Sequence, residues 1–344
     1  MVADYKVGWI CALPKEQTAA VAMLDVRHAS LSKSTTDYNT YTLGSIGDHD
    51  IVIACLPKGK YGTTSAATVA TRMLSTFPAI RFGLMVGIGG GIPPKVRLGD
   101  VVVSVPTDQY PGVVQWDMGK AEQGGTFRRT GALNNPPTSL LTALTILETE
   151  QAMNGSRIPE FLDELARKYP RLTNDYLKSE SLKDILFKAA CHHANGHGKP
   201  DNHGADGSEA NENKEDEYDQ EAEEDCRHCD PTQIIKRKPR DMKIHYGLIA
   251  SGDQVIKDAA RRRRLVKELG GSVLCVETEA AGLVDNFPCI VVRGICAYAD
   301  SHKNKAWQEH AAAVAAAFTK ELLGYVTVGE VEGEKTVKDI LSSC

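Results

Sequence analysis

The chain has 344 residues, 42% of them hydrophobic, enough for a sizeable core and too many for global disorder. Forty Lys and Arg against 45 Asp and Glu give a net charge of −5, yet the stretch 201–230 alone holds thirteen acids and two bases, so it carries −11 and the rest carries +6. No apolar run approaches the ~20 residues a membrane helix needs, and Met1–Lys6 lacks a secretory leader's plan, so neither a membrane nor a nucleic-acid partner is expected.

Apolar, mostly β-branched runs recur at Val7–Ala12, Ile51–Leu56, Phe82–Val86, Val101–Val105, Ile244–Ala250 and Cys289–Cys296, as buried strands should. Between them the patterns predict helices at Glu16–Leu24 behind Pro14, Thr64–Phe77, Asp258–Leu269, Thr278–Asn286 and Ala306–Gly324. The stretch Pro159–Lys188 also reads as helical and charged. Alternating strands and helices predict an α/β fold with a mostly parallel or mixed sheet covered on both faces, and ligands in such folds sit at the carboxyl ends of strands. Residues 195–239 break the pattern. They are rich in Asn, Gly, Asp, Glu and His and poor in large apolar residues, and predict an acidic, low-complexity, disordered insertion. Nine cysteines are scattered, several within apolar runs (Cys11, Cys55, Cys289, Cys296), which reads as reduced core thiols of an intracellular, cytoplasmic protein.

Four segments carry polar chemistry at these strand ends. Gly87-Ile88-Gly89-Gly90-Gly91 follows a strand; its glycines let backbone N–H groups approach an anion, a sugar or a water, or simply make a tight turn. Val276-Glu277-Thr278-Glu279 sets two acids two residues apart, where one carboxylate accepts from two ribose hydroxyls, or where both serve a helix N-terminus. The strand through Val291 and Val292 ends in Arg293, Asp300, His302 and Lys303, either a site or an ordinary surface loop. Glu16 follows the first strand as a helix-start acid or a general base. Cys226-Arg227-His228-Cys229, with Cys191, His192 and His193 before the insertion, has zinc-ligand composition, or is two reduced thiols closing a loop. No metal or cofactor is assigned, and Cys226 and Cys229 stand as the only metal candidates.

Together these segments resemble the purine nucleoside phosphorylase/uridine phosphorylase superfamily, in its methylthioadenosine/S-adenosylhomocysteine nucleosidase branch. The resemblance covers Lys6–Asp108 and Ile244–Val326. It rests on Val7–Glu16, with Cys11 where a Gly is usual, on Gly87–Val103 including Gly99-Asp100, on Ser251-Gly252-Asp253, and on Glu277-Thr278-Glu279-Ala280. Through Tyr61–Ala67 and Asp300–Lys305 the chain is most similar to fungal members that form the N-terminal domain of immune-receptor-like proteins. Related defence domains split adenine from ATP. The implied fold is a three-layer α/β/α nucleoside-phosphorylase-like fold with a central mixed sheet, as a single catalytic domain over 1–344.

The resemblance also implies roles. Glu16 activates water and Arg293 holds it. Glu279 binds the ribose hydroxyls, with Thr278 replacing the Met beneath the sugar. Val255 and Ile256 hold the base, where an aromatic is missing. Ala297 stands where the family has the acid that protonates the departing purine, and alanine has no proton to give. The chain is then an inactive homologue, or Asp300 substitutes, or the residue was changed in an otherwise intact site; the intact neighbours favour the last. At the sugar 5′ end the resemblance places Leu13, Tyr61 and Trp307. Lys15, Lys60 and Lys303 lie near in sequence, and Arg128 and Arg129 sit on a segment that in relatives reaches over from a partner subunit. These cations suit a polyphosphate, unless they are solvated surface charges. The four arginines Arg261–Arg264 read as surface charge. The expectation is an N-ribosyl hydrolase that releases adenine from a purine nucleotide, ATP first, in a homo-oligomer whose neighbouring subunit completes the 5′ pocket. A carboxylate at Glu16, where a phosphorylase wants a cation, favours water over phosphate.

Overall fold

A computed structural model describes residues 2–124, 126–194, 226–302 and 305–342. Lys303 and residues 195–225 of the predicted insertion lie outside them. The strands are β1 (Val7–Cys11), β2 (Val26–Arg27), β3 (Tyr41–Ile46), β4 (His49–Cys55), β5 (Phe82–Gly91), β6 (Val101–Ser104), β7 (Val113–Gln115), β8 (Gly119–Glu122), β9 (Thr126–Arg129), β10 (Ile244–Ser251), β11 (Val273–Glu277) and β12 (Cys289–Ala297). The helices are α1 (Pro14–Ala22), α2 (Thr63–Thr76), α3 (Thr138–Asn154), α4 (Ile158–Lys168), α5 (Thr173–Tyr176), α6 (Ala259–Glu268), α7 (Gln308–Leu323), α8 (Val328–Gly333) and α9 (Val337–Ser342).

The main sheet runs β11-β10-β6-β12-β5-β1-β4-β3-β2, with β7 on β10. Its centre is parallel: β1 pairs with β4 and β5, and β5 with β12, all parallel. The β12–β6 and β3–β4 pairs are antiparallel, so the sheet is mixed as predicted. Both β1 and β12 are buried along their whole length, because α1, α3, α4 and α7 pack one face and α2 packs the other. The expected layers, helix on sheet on helix, are therefore present.

Four expectations are corrected. The glycine run is a continuation of β5 rather than a loop: Gly90 and Gly91 pair antiparallel with Val276 and Cys275 of β11, while Gly87–Gly90 pair with β12 through a bulge at Cys296, so that Gly90 faces Ala297. This double pairing closes β11, β10, β6, β12 and β5 into a ring. Glycine is required for it, since a Cβ on Gly89 would sit 2.5 Å from Cys275 Sγ and one on Gly91 2.6 Å from Ile295 Cγ2. The predicted helix Thr278–Asn286 is only a single 3₁₀ turn, Ala280–Gly282. Gly282 lies against the backbone of Thr63, where a Cβ would meet the Thr63 carbonyl oxygen at 2.0 Å, and Glu277 takes the Glu279 and Ala280 N–H groups, so the chain is pinned before a helix can propagate. Part of the segment predicted as disordered, residues 226–239, is placed. They carry two 3₁₀ turns, a bridge from Ile234 to Phe187, and a buried Cys229. Likewise the helical reading of Pro159–Lys188 holds only for α4 and α5; from Leu177 onward the chain is not helical. Among the described residues no single helix is long and apolar enough to cross a membrane.

Candidate active site

The ring of strands gathers four segments that are far apart in sequence. Glu16 enters α1 one turn after β1, with Pro14 starting the helix. Its Oε2 accepts from the N–H groups of Ala12 (2.7 Å) and Leu13 (2.9 Å), and its Oε1 from Ile88 N–H (2.8 Å). The helix-start reading is thus real, and the same carboxylate also reaches across to β5. Gly87 makes that possible: a Cβ there would stand 2.4 Å from Glu16 Oε1 and 2.6 Å from Arg293 Nη1. Burial raises the Glu16 pKa above the ordinary carboxylate value, against the opposing pull of Arg293 and the three N–H groups.

Arg293, fully buried on β12, is the electrostatic hub. Its Nη2 donates to Glu277 and lies 3.4 Å from Glu279 Oε2, while Nη1 reaches the Ile88 carbonyl at 3.4 Å. Burial would lower its pKa, but Glu277, Glu279 and Glu16 outweigh this and raise it, so the guanidinium stays charged. Of the two readings of Glu277, the second fits: its carboxylate accepts from the N–H groups of Glu279 and Ala280 at the start of the 3₁₀ turn and from Arg293, with 1% of the side chain exposed. It holds the arginine. Glu279 is the freer acid: Oε1 accepts from Thr278 Oγ1 (2.5 Å) and from Gly62 N–H at 3.4 Å, and burial pushes its pKa up to about 7, with Glu277 adding to the rise and Arg293 opposing it. Gly62 and Thr63 are in turn tied to the Ser-Gly-Asp segment, where Asp253 Oδ1 accepts from Thr63 N–H at 2.7 Å.

Replacing Arg293 with Met removes the one cation among these carboxylates, and stability should fall by roughly 3–5 kcal/mol, read as a lowered denaturant midpoint. Gly87→Ala should also destabilise the site, because a Cβ there has no room beside Glu16 and Arg293, read as a lowered melting temperature.

Ala297 ends β12 opposite Gly90, 6% exposed. It borders a cavity of about 410 Å³ together with Leu98, Tyr298, Asp300, His302 and Trp307. The structure places Trp307 there, buried against Gly99 and donating to the Lys183 carbonyl, apart from the exposed Tyr61. Asp300, the candidate substitute acid, is ion-paired with Arg262 (3.2 Å) and accepts from His302 N–H. Arg262 itself corrects the surface reading of the arginine run: it is 5% exposed, and its Nη1 also donates to the Tyr298 carbonyl. On a helix only one or two of four consecutive residues can face inward, and here Arg262 does.

The cations expected at the 5′ end divide. Lys15 is spent on Glu309 (2.6 Å) and Gln308 (2.8 Å). Arg128 pairs with Glu122 on the exposed β8–β9 hairpin, and Arg129 lies over the Tyr110 ring. Lys60 is exposed on the loop just before Gly62. Ile256 is buried against the cluster that includes Val276 and Ala299, whereas Val255 is nearly half exposed. The Gly99-Asp100 match has a structural purpose: Asp100 is buried and bonded by Arg240, His245 and the Arg97 and Lys243 N–H groups.

No family model matches the chain. A nucleotide-binding leucine-rich repeat (NLR)-like protein of Hyaloscypha variabilis is 48% identical over 324 residues, covering 93% of this chain and 29% of that protein. The chain thus spans under a third of the length of that relative. Among solved structures, futalosine hydrolase of Helicobacter pylori superposes with a TM-score of 0.55 at 17% identity, covering 93% of this chain and 98% of that one. The 5′-methylthioadenosine/S-adenosylhomocysteine nucleosidase of S. pneumoniae gives a TM-score of 0.55 at 15% identity, with 94% and 100% covered. The chain thus shares the fold of these nucleoside-cleaving hydrolases.

Proposed function

We propose that this chain is an N-ribosyl hydrolase that cleaves the N-glycosidic bond of an adenine nucleotide, with ATP as the first candidate. The observation that carries the reading is the Glu16–Gly87–Arg293 contact: a buried carboxylate of raised pKa, beside a guanidinium, at a glycine that leaves no side chain between them. Glu16 would take the proton from a water as it attacks the anomeric carbon. Arg293 Nε, which has no hydrogen-bond partner among the described residues, has a donor to orient that water. Glu279 would accept from the ribose hydroxyls. The transition state is a ribosyl oxocarbenium ion, and its leaving purine gains from a proton that Ala297 cannot provide. A carboxylate at this place repels phosphate ion, which favours hydrolysis over phosphorolysis.

The triphosphate reading draws on Lys60, on Lys303 and on the arginines of the β8–β9 hairpin. That hairpin is exposed and carries Phe127 at 50% exposure, with Met118 just before it at 54%, which suits a segment reaching into a neighbouring subunit of a homo-oligomer. The pairing of Lys15 with Glu309 favours a second reading, a nucleosidase acting on unphosphorylated nucleosides. The test incubates the chain with ATP, adenosine and inosine, with and without phosphate, following free base by chromatography. Adenine from ATP without phosphate supports the proposal. Adenosine cleaved while ATP is spared would establish the second reading, and a phosphate requirement would make the chain a phosphorylase. No base from any of them, even with Asp restored at position 297, would overturn the hydrolase assignment.

A further inference from the structure

The fold brings together three metal-binding side chains that lie outside the proposed chemistry. His193, before the insertion, and Cys226 and Cys229, after it, place their ligand atoms within 4.8 Å of one another. His193 Nδ1 stands 3.3 Å from Cys229 Sγ and 3.9 Å from Cys226 Sγ. Two ligands on one tetrahedral zinc, at Zn–S ≈ 2.3 Å and Zn–N ≈ 2.0–2.1 Å, are about 3.5 Å apart, so the observed pair brackets the required spacing. His193 and Cys229 are buried.

The candidate for a fourth ligand is His302, which lies outside the 4.8 Å grouping of the other three and would close in on the metal. The His302 side chain is 5% exposed, its ring is stacked on Phe187 with centroids 4.0 Å apart, and Nε2 has no hydrogen-bond partner among the described residues. Its ring meets that of His193 edge-on, centroids 5.9 Å apart, against about 5 Å for two imidazoles on one tetrahedral zinc. Its other nitrogen, Nδ1, faces Asp300 Oδ1 at 3.9 Å, the outer carboxylate that commonly orients a metal-bound histidine. Cys226, Cys229 and His302 also border the cavity that contains Ala297.

We infer that His193, Cys226, Cys229 and His302 form a structural zinc site of the Cys₂His₂ type. It clamps the C-terminal end of the acidic insertion and the 191–193 segment onto the loop that follows β12. The metal adds its binding energy to folding and fixes the Asp300–His302 wall of the cavity, rather than taking part in bond cleavage.

The test is metal analysis of the full chain, purified under reducing conditions from zinc-containing medium. About one zinc per chain is expected, reduced to a trace in Cys226→Ser and Cys229→Ser. The His302→Ala variant should still bind but lose zinc to a competing chelator at least about tenfold more readily. Because the cysteine variants can fail to fold, stripped wild-type protein is also titrated with Co²⁺. Thiolate-to-cobalt charge-transfer absorption and intense tetrahedral visible bands should rise to a one-to-one endpoint and vanish on adding Zn²⁺. Wild-type protein without zinc and without the cobalt spectrum, a Cys226–Cys229 disulfide in its place, or full zinc retention by Cys229→Ser would each overturn the site. None of these readouts depends on base release, so the site and the proposed activity stand or fall separately.

Discussion

Ala297→Asp should raise the rate of base release by about 10²–10⁴-fold, the usual contribution of a positioned general acid. Position 297 is suited to the change. It ends a strand buried along its whole length, opposite Gly90, and borders a cavity of about 410 Å³ into which a carboxyl can project. Asp300, the other candidate for the role, is ion-paired with Arg262. The pH profile offers an independent check. With Ala297 the rate should only climb with pH, as Glu16 loses its proton. With Asp it should become bell-shaped, because a general acid must be protonated and the rate then falls above its pKa. An Asp variant with unchanged rate and an unchanged profile would show that the departing base is not protonated from this position.

Much of the fold was legible because its strands are strongly apolar and bounded by punctuating residues. All six predicted strands are present, four of them with ends shifted by no more than one residue; β4 begins two residues early, and β5 runs on through its glycines to Gly91. What escaped the sequence is long-range. Nothing local tells a glycine run that pairs with two strands from one that turns, because the difference lies in Cys275 and Ile295 approaching from elsewhere. The Thr278–Asn286 segment has helix-forming composition, and tertiary pinning by Glu277 and Thr63 overrides it. Site residues fared similarly. Glu16, Arg293 and Glu279 do converge. The division of labour between Glu277 and Glu279 depends on which carboxylate meets the arginine head-on, and that is set by β11–β12 geometry. Arg262 was hidden among four like residues, and its only available signal was the helical period. His193 lies 33 residues before Cys226, so no spacing rule could join them; their adjacency is a product of the body on which both ends of the insertion rest.

Glu16→Gln should abolish base release, by about 10²–10⁴-fold or more in the Ala297→Asp background, where there is activity to lose. The amide keeps the size and can still accept from Ala12 and Leu13, but it cannot take a proton from water. The two readings of Glu16 separate here. If it served only to start α1, the variant would lose stability and keep its rate. If it is the base, the rate collapses while the melting temperature moves little, because relief of a buried charge offsets one disturbed hydrogen bond to Ile88. The pH dependence fixes the sign. Burial raises the Glu16 pKa, so the base form is present above that raised value and is lost as pH falls through it. The acid limb of the rate profile should therefore lie above the ordinary glutamate range. The same shift means that the folded state holds the Glu16 proton more tightly than the unfolded chain does, so this group's contribution to stability is fully present below the unfolded pKa and is lost as pH rises through the folded one. Denaturant midpoints measured across that window should thus decline with pH in the parent by more than in Glu16→Gln. A parallel decline in both proteins would place the shift elsewhere in the carboxylate cluster, at Glu279 first, whose pKa burial pushes up to about 7.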